Sequence, residues 1–160
     1  MVCLRPSPRT LQRLVWLGWF FLMTGLYWPG AAAAGPMLAQ VGDPTAVVRI
    51  GKTTVRAEVV TTPEKLYLGL SGRSRLPWGT GMLFVLPRRE VQEFCMRGML
   101  IPIDIIWIDG RQVIGFQENL QPRDRGIFSS PGPADLVLEV PAGFVAKMGV
   151  QVGDKVEWRR

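Results

Sequence analysis

The run Ile103-Asp104-Ile105-Ile106-Trp107-Ile108 limits what this chain can become more than any other segment. A β-strand sends alternate side chains to opposite faces, so a run that is apolar on both must be covered on both. Asp109-Gly110 follows and is the dipeptide of a type I′ hairpin, which predicts a return strand over residues 112–118. The segment therefore belongs near the centre of a sheet, with packed material above and below it.

The flanking sequence supplies that material in short pieces. Gly51-Lys52 separates two strand-like runs, 47–50 and 53–60, as a two-residue turn would. In the second run Val55, Ala57 and Val59 share one face, and Arg56 and Glu58 the other. Thr62-Pro63-Glu64 reads as a helix start, Leu66 and Leu70 lie on one face, and Gly72 is the expected stop. Further strands are expected at 82–86, 90–96, 136–140 and 155–158, with loops at 72–80 and 124–133. A short helix is expected at 142–148, ending at Gly149. The predicted fold class is mainly β (α+β): a compact barrel-like or sandwich domain of short antiparallel strands with one or two short helices.

The first part of the chain has a different character. Arg5, Arg9 and Arg13 precede an apolar run from Leu14 to Trp28, then Pro29-Gly30 and four alanines. Basic, apolar and small-residue regions in that order predict a secretory signal over residues 1–39, cleaved near 33–39. A short lead-in, 40–46, and one β-rich domain, 47–160, complete the predicted organisation. The expected location is extracytoplasmic, periplasmic or secreted. The alternative is a membrane anchor left uncleaved, but the strongly apolar stretch falls short of the ~20 residues a spanning helix needs. The membrane is otherwise met only in transit. Cys3 lies too early to be a lipoprotein acceptor.

Charge and residue absences narrow the chemistry. The net charge is +6, but three of the 19 basic residues are in the leader, so 16 remain against 13 acidic ones. These are interspersed along the chain, which disfavours a nucleic-acid partner. There is no histidine, which excludes a His-based nucleophile triad and removes the commonest zinc ligand. Only Cys95 lies outside the leader, so no disulfide is expected within the domain, and no cofactor is implied.

Several segments, in order, resemble the domain-of-unknown-function family numbered 192. They begin with Thr62-Pro63-Glu64, Gly69-Leu70, Gly81-Met82-Leu83-Phe84, Phe94-Cys95-Met96-Arg97, Ile101-Pro102-Ile103-Asp104 and Ile108-Asp109. Glu118-Asn119, Leu138-Glu139-Val140 with Ala142-Gly143, Gly149 and Gly153-Asp154 continue the match. The resemblance covers residues 47–156 and implies a small, mainly β domain, often behind a signal peptide, with no assigned activity. The family pattern reads Phe-Trp-Met-Lys-Asn-Thr where this chain has Phe94-Cys95-Met96-Arg97-Gly98-Met99. That departure puts in doubt any shared ligand site on the segment.

Two constellations stand out. Asp104 shares a strand face with Ile106 and Ile108, and an acid on an apolar face must be paired, hydrogen-bonded or shifted in pKa. With Glu118 or Glu139 it would make an acid/base pair for an exported hydrolase-like enzyme. Cys95, Met96 and Met99, with Met82, form a soft-ligand set of the kind that selects Cu(I), though such residues also pack ordinary cores. The leading expectation is a non-catalytic exported module that binds a small molecule or a protein partner. Its expected ligand site lies near Phe94, Met96, Asp104, Glu118 and Asn119.

Overall fold

The computed structural model describes residues 44–159. The expected leader, its cleavage site, Cys3 and most of the lead-in lie outside the described residues. The elements are β1 (Thr45–Ile50), β2 (Thr53–Val60), α1 (Pro63–Leu68), β3 (Thr80–Phe94), β4 (Ile103–Asp109), β5 (Gln112–Leu120), β6 (Phe128–Pro141), α2 (Phe144–Met148) and β7 (Val156–Arg159). Seven strands form one sheet in the order β5-β4-β6-β3-β2-β1-β7. Its two outer strands approach each other at one end, where Val113 N donates to Asp154 O at 3.0 Å and Val156 N to Arg111 O at 2.9 Å. Right-handed twist accumulated over seven strands curls the sheet into a half-barrel.

Both faces of this sheet are packed, as the apolar run in β4 requires. Ile106 and Ile108 join Val55, Ala57, Leu83 and Leu138 on the concave side, which Phe144 and Val145 of α2 plug. Ile103, Ile105 and Trp107 join Met82, Phe84 and Val137 on the other side, under Leu66 and Leu70 from α1 and its exit. All of β4 from Ile103 to Ile108 is buried. Burying each large side chain of this kind contributes about 1.5–3 kcal/mol.

Several sequence expectations need correction. Most strand pairs are antiparallel, but β2 and β3 are parallel, because α1 carries the chain back across the sheet between them. The helix ends at Gly69, φ +52, three residues before the expected stop. The expected strands at 82–86 and 90–96 are one long strand that passes Pro87 by a register shift. The expected loop at 124–133 is strand from Phe128 onward. Phe128 pairs with Phe94 and Pro133 with Val91, across a second shift. Proline cannot donate to a ladder, so side chains complete this region instead. Ser130 Oγ accepts from Gln92 N at 2.9 Å, and Gln92 Nε2 donates to Arg88 O and Ala134 O, both at 3.0 Å.

The β4–β5 turn is also shifted. Asp109 pairs with Gln112, so Gly110-Arg111 is the two-residue loop, with Gly110 at φ +59. Asp109 is the last residue of the strand and not part of the turn. Two irregularities in this pair then alter the register that the turn alone would set.

Candidate functional site

Asp104 is fully buried, at 0 % exposure, on the concave face beneath α2. Its Oδ1 accepts from Asn119 N at 2.7 Å and Gly143 N at 3.0 Å, and its Oδ2 accepts from Val145 N at 2.9 Å. Two of these donors belong to the start of α2, whose first amides have no partner within the helix. The third belongs to a bulge: Ile103 pairs with Leu120 and Ile105 with Gln117, leaving Glu118 and Asn119 opposite one residue. Asn119 holds the left-handed conformation there, at φ +54, which asparagine tolerates better than most residues. Asp104 is thus a bracket that ties β4 to the β5 bulge and to α2.

The other expected site residues do not gather around it. Glu118 projects into solvent, and Asn119 Oδ1 accepts from Gln121 Nε2 at 2.8 Å. Glu139 pairs with Ile105 while Asp104 pairs with Val140, so the two acids point to opposite faces of the sheet. Phe94 is buried edge-on against Phe84, with ring centroids 5.2 Å apart. Met82, Met96 and Met99 pack in that same cluster, with Cys95 at its margin. Cys95 is engaged rather than free, and Cys3, the other cysteine of the sequence, lies outside the described residues. Among the described residues no group of three or more His, Cys, Asp or Glu is placed to hold a metal ion.

The structure also brings together residues that are distant in the sequence. Glu58 pairs with Met82 and Met82 with Glu139, so three neighbouring strands place these side chains in one row on the convex face. Arg73, from the loop after α1, grips both oxygens of the Glu58 carboxylate through Nη1 and Nη2. Those hydrogen bonds hold the Arg73 guanidinium above its ordinary pKa, against partial burial. The only sequence sign was Glu58 on the polar face of a strand that turns out to be central.

A groove of about 210 Å³ runs between α1 and the second half of β3. Pro63, Leu66, Tyr67, Leu86, Pro87, Arg88, Glu90 and Gln92 line it. β2 accompanies β3 only as far as Phe84, and where it leaves the sheet α1 forms the opposite wall. Arg97 holds Tyr67 in place, its guanidinium carbon 4.2 Å from the ring centroid. Arg97 is anchored in turn by Ser71 Oγ donating to its carbonyl at 3.0 Å. A larger hollow of about 520 Å³ beside β5 and β7 is lined chiefly by polar and charged residues, among them Asp109, Arg111, Lys155 and Glu157. The groove combines an apolar floor with a few convergent polar groups.

Beside the groove, Arg89 Nε and Nη2 meet the Asp109 carboxylate at 2.5 and 2.6 Å. These bonds hold the Asp109 carboxyl below its usual pKa. A depressed carboxyl stabilises the fold above the ordinary Asp range and loses that contribution as pH falls through the depressed value. The stability gap between wild type and Arg89→Ala, measured by urea denaturation across acid pH, is therefore expected to close as pH falls. A constant gap would mean that the pair contributes through packing alone.

Comparisons with known proteins agree with one another. The family profile DUF192, described as Uncharacterized ACR, matches residues 46–158. A UPF0127 protein of Pyrococcus abyssi is 33% identical over 82 residues, covering 50% of this chain and 68% of that protein. A UPF0127 protein of Thermococcus gammatolerans is 34% identical over 80 residues, covering 48% and 50%. A crystal structure of a Novosphingobium aromaticivorans protein of unknown function superposes with a TM-score of 0.71 at 31% identity, covering 84% of this chain and all of that one. A Sinorhizobium meliloti protein described as a candidate transcription regulator superposes at 0.70 with 27% identity, covering 74% and 97%.

Proposed function

This chain belongs to the DUF192 family, and from that premise we propose that it is an exported, non-catalytic module that binds a small molecule or a protein partner. The groove between α1 and β3 carries the reading. It offers an apolar floor from Leu66, Leu86 and the two prolines, and a polar rim from Tyr67, Arg88, Glu90 and Gln92. That is the composition of a recognition site, in which apolar area supplies affinity and a few polar groups set orientation. Chemistry by paired carboxylates has no comparable support, since the three backbone amides on Asp104 engage both of its oxygens. The proposed site therefore moves from Phe94, Met96 and Asp104, which are buried, to this groove.

Export rests on the order of charge and apolarity in residues 1–39. Native mass spectrometry of protein purified from the extracytoplasmic fraction tests both halves of the proposal. The expected result is a chain beginning between residues 34 and 40 with a bound mass that Tyr67→Ala removes. An intact N-terminus in a cytoplasmic fraction would refute export, and a bare chain at every concentration would refute binding.

A further inference from the structure

We infer that the α1–β3 groove is a site for a free apolar α-amino acid, held as its zwitterion; this rests on the reading of the domain as a binding module. At about 210 Å³ the space suits one aliphatic or aromatic side chain and is small for a drug-sized ligand. Two charged residues of opposite sign, Arg88 and Glu90, line its β3 wall. Neither side chain forms an ion pair or hydrogen bond among the described residues, although the adjacent Arg89 is committed to Asp109. The two are two residues apart on one strand, about 6–7 Å at Cα. An α-amino acid carries its carboxylate and ammonium on a single carbon, so one molecule can bridge such a pair while its side chain enters the apolar floor. Arg88 takes the carboxylate and Glu90 the ammonium, in each case by a charge-assisted hydrogen bond.

Gln92 adds a neutral contact. Its side chain is 6 % exposed and lines the groove. Its Nε2 is fixed on Arg88 O and Ala134 O, which orients the amide and leaves Oε1 as the acceptor. Because Gln92 Nε2 holds the Arg88 backbone, this amide and the cationic wall are built as one unit. The recognised class is thus an apolar side chain with adjacent amine and acid groups.

The test is an NMR titration of the ¹⁵N-labelled domain with L-leucine, with 4-methylpentanoate, which lacks the amine, and with 3-methylbutylamine, which lacks the acid. Leucine is expected to shift the amides of Leu66, Tyr67 and Gln92, and each truncated analogue to bind at least about tenfold more weakly, a loss of about 1.4 kcal/mol. Arg88→Ala is expected to erase the preference for leucine over the amine. Glu90→Gln is expected to erase its preference over the acid. Both residues are exposed, so these variants test recognition and not folding. If the acid or the amine binds as tightly as leucine, zwitterion pairing is wrong while the binding-module reading stands. If none of the three shifts these amides, the amino-acid site is refuted, and a bound mass in the native spectrum still distinguishes that failure from failure of the module.

Discussion

Replacing Asp104 by alanine is expected to lower folding stability by about 3–5 kcal/mol. The cause is not the loss of three bonds as such, because each intramolecular hydrogen bond nets little against water. The cost comes from leaving Asn119 N, Gly143 N and Val145 N without their acceptor, the last of them at a buried position. Asp104→Asn should cost less, about 2–3 kcal/mol, since one oxygen remains while the amide NH₂ faces a backbone donor. Urea denaturation gives the totals. Hydrogen exchange supplies the signature: protection is expected to fall first at residues 118–120 and 143–146, the two segments the carboxylate ties together. A loss below about 1 kcal/mol for the alanine variant would sink the bracket assignment and leave the Asp104 carboxylate open to a ligand role.

Gly81→Ala is expected to cost about 3 kcal/mol, at the upper end of overpacking effects. A Cβ at this position would lie 2.5 Å from Glu139 O, and 3.2 Å from both Val140 Cγ1 and Val55 Cγ1. The nearest obstacle is backbone in β6, which cannot shift without opening the β3–β6 ladder at the middle of the sheet. The reason for glycine here is close approach, because its φ is not in the left-handed region. Gly132→Ala is the control: nothing lies within 4 Å of its added Cβ and its φ is also unstrained, so stability should stay within about 0.5 kcal/mol. Equal melting shifts for the two variants would show that the sheet absorbs the methyl group at Gly81 by relaxing.

Much of the fold was legible because it depends on short-range patterns. The turn at Gly51-Lys52 pairs Ile50 with Thr53 as expected, and Pro63 opens α1. The expected burial of 103–108 on both faces follows from alternation alone. Errors arose where non-local pairing overrode local signals. Residues 128–134 contain two prolines, two serines and a glycine, and read as loop. They become strand because β3 lies alongside and Gln92 and Ser130 satisfy the backbone that the ladder leaves open. Gly115 contributes by leaving room for the Pro131 ring, which a Cβ would approach to 2.7 Å. The site was less legible for the same reason. Asp104 stands out in the sequence because its neighbours on the strand are apolar. Its partners, however, lie 15, 39 and 41 residues away.

The sequence by itself determined the fold class, the apolar strand packed on both faces and the family, since each is carried by periodicity or by motifs in order along the chain. It also determined that one buried acid needed an answer, because an isolated carboxylate among isoleucines is never neutral in energy. Tertiary structure alone decided what that answer was. The β5 bulge and the start of α2 surround Asp104 with amide donors, and the sheet places Glu139 on its far side. It also decided where an opening lies, because a groove between α1 and β3 depends on where β2 ends and the helix crosses. Hydrophobic periodicity is a property of neighbours in the chain, whereas register and the convergence of side chains are properties of neighbours in space.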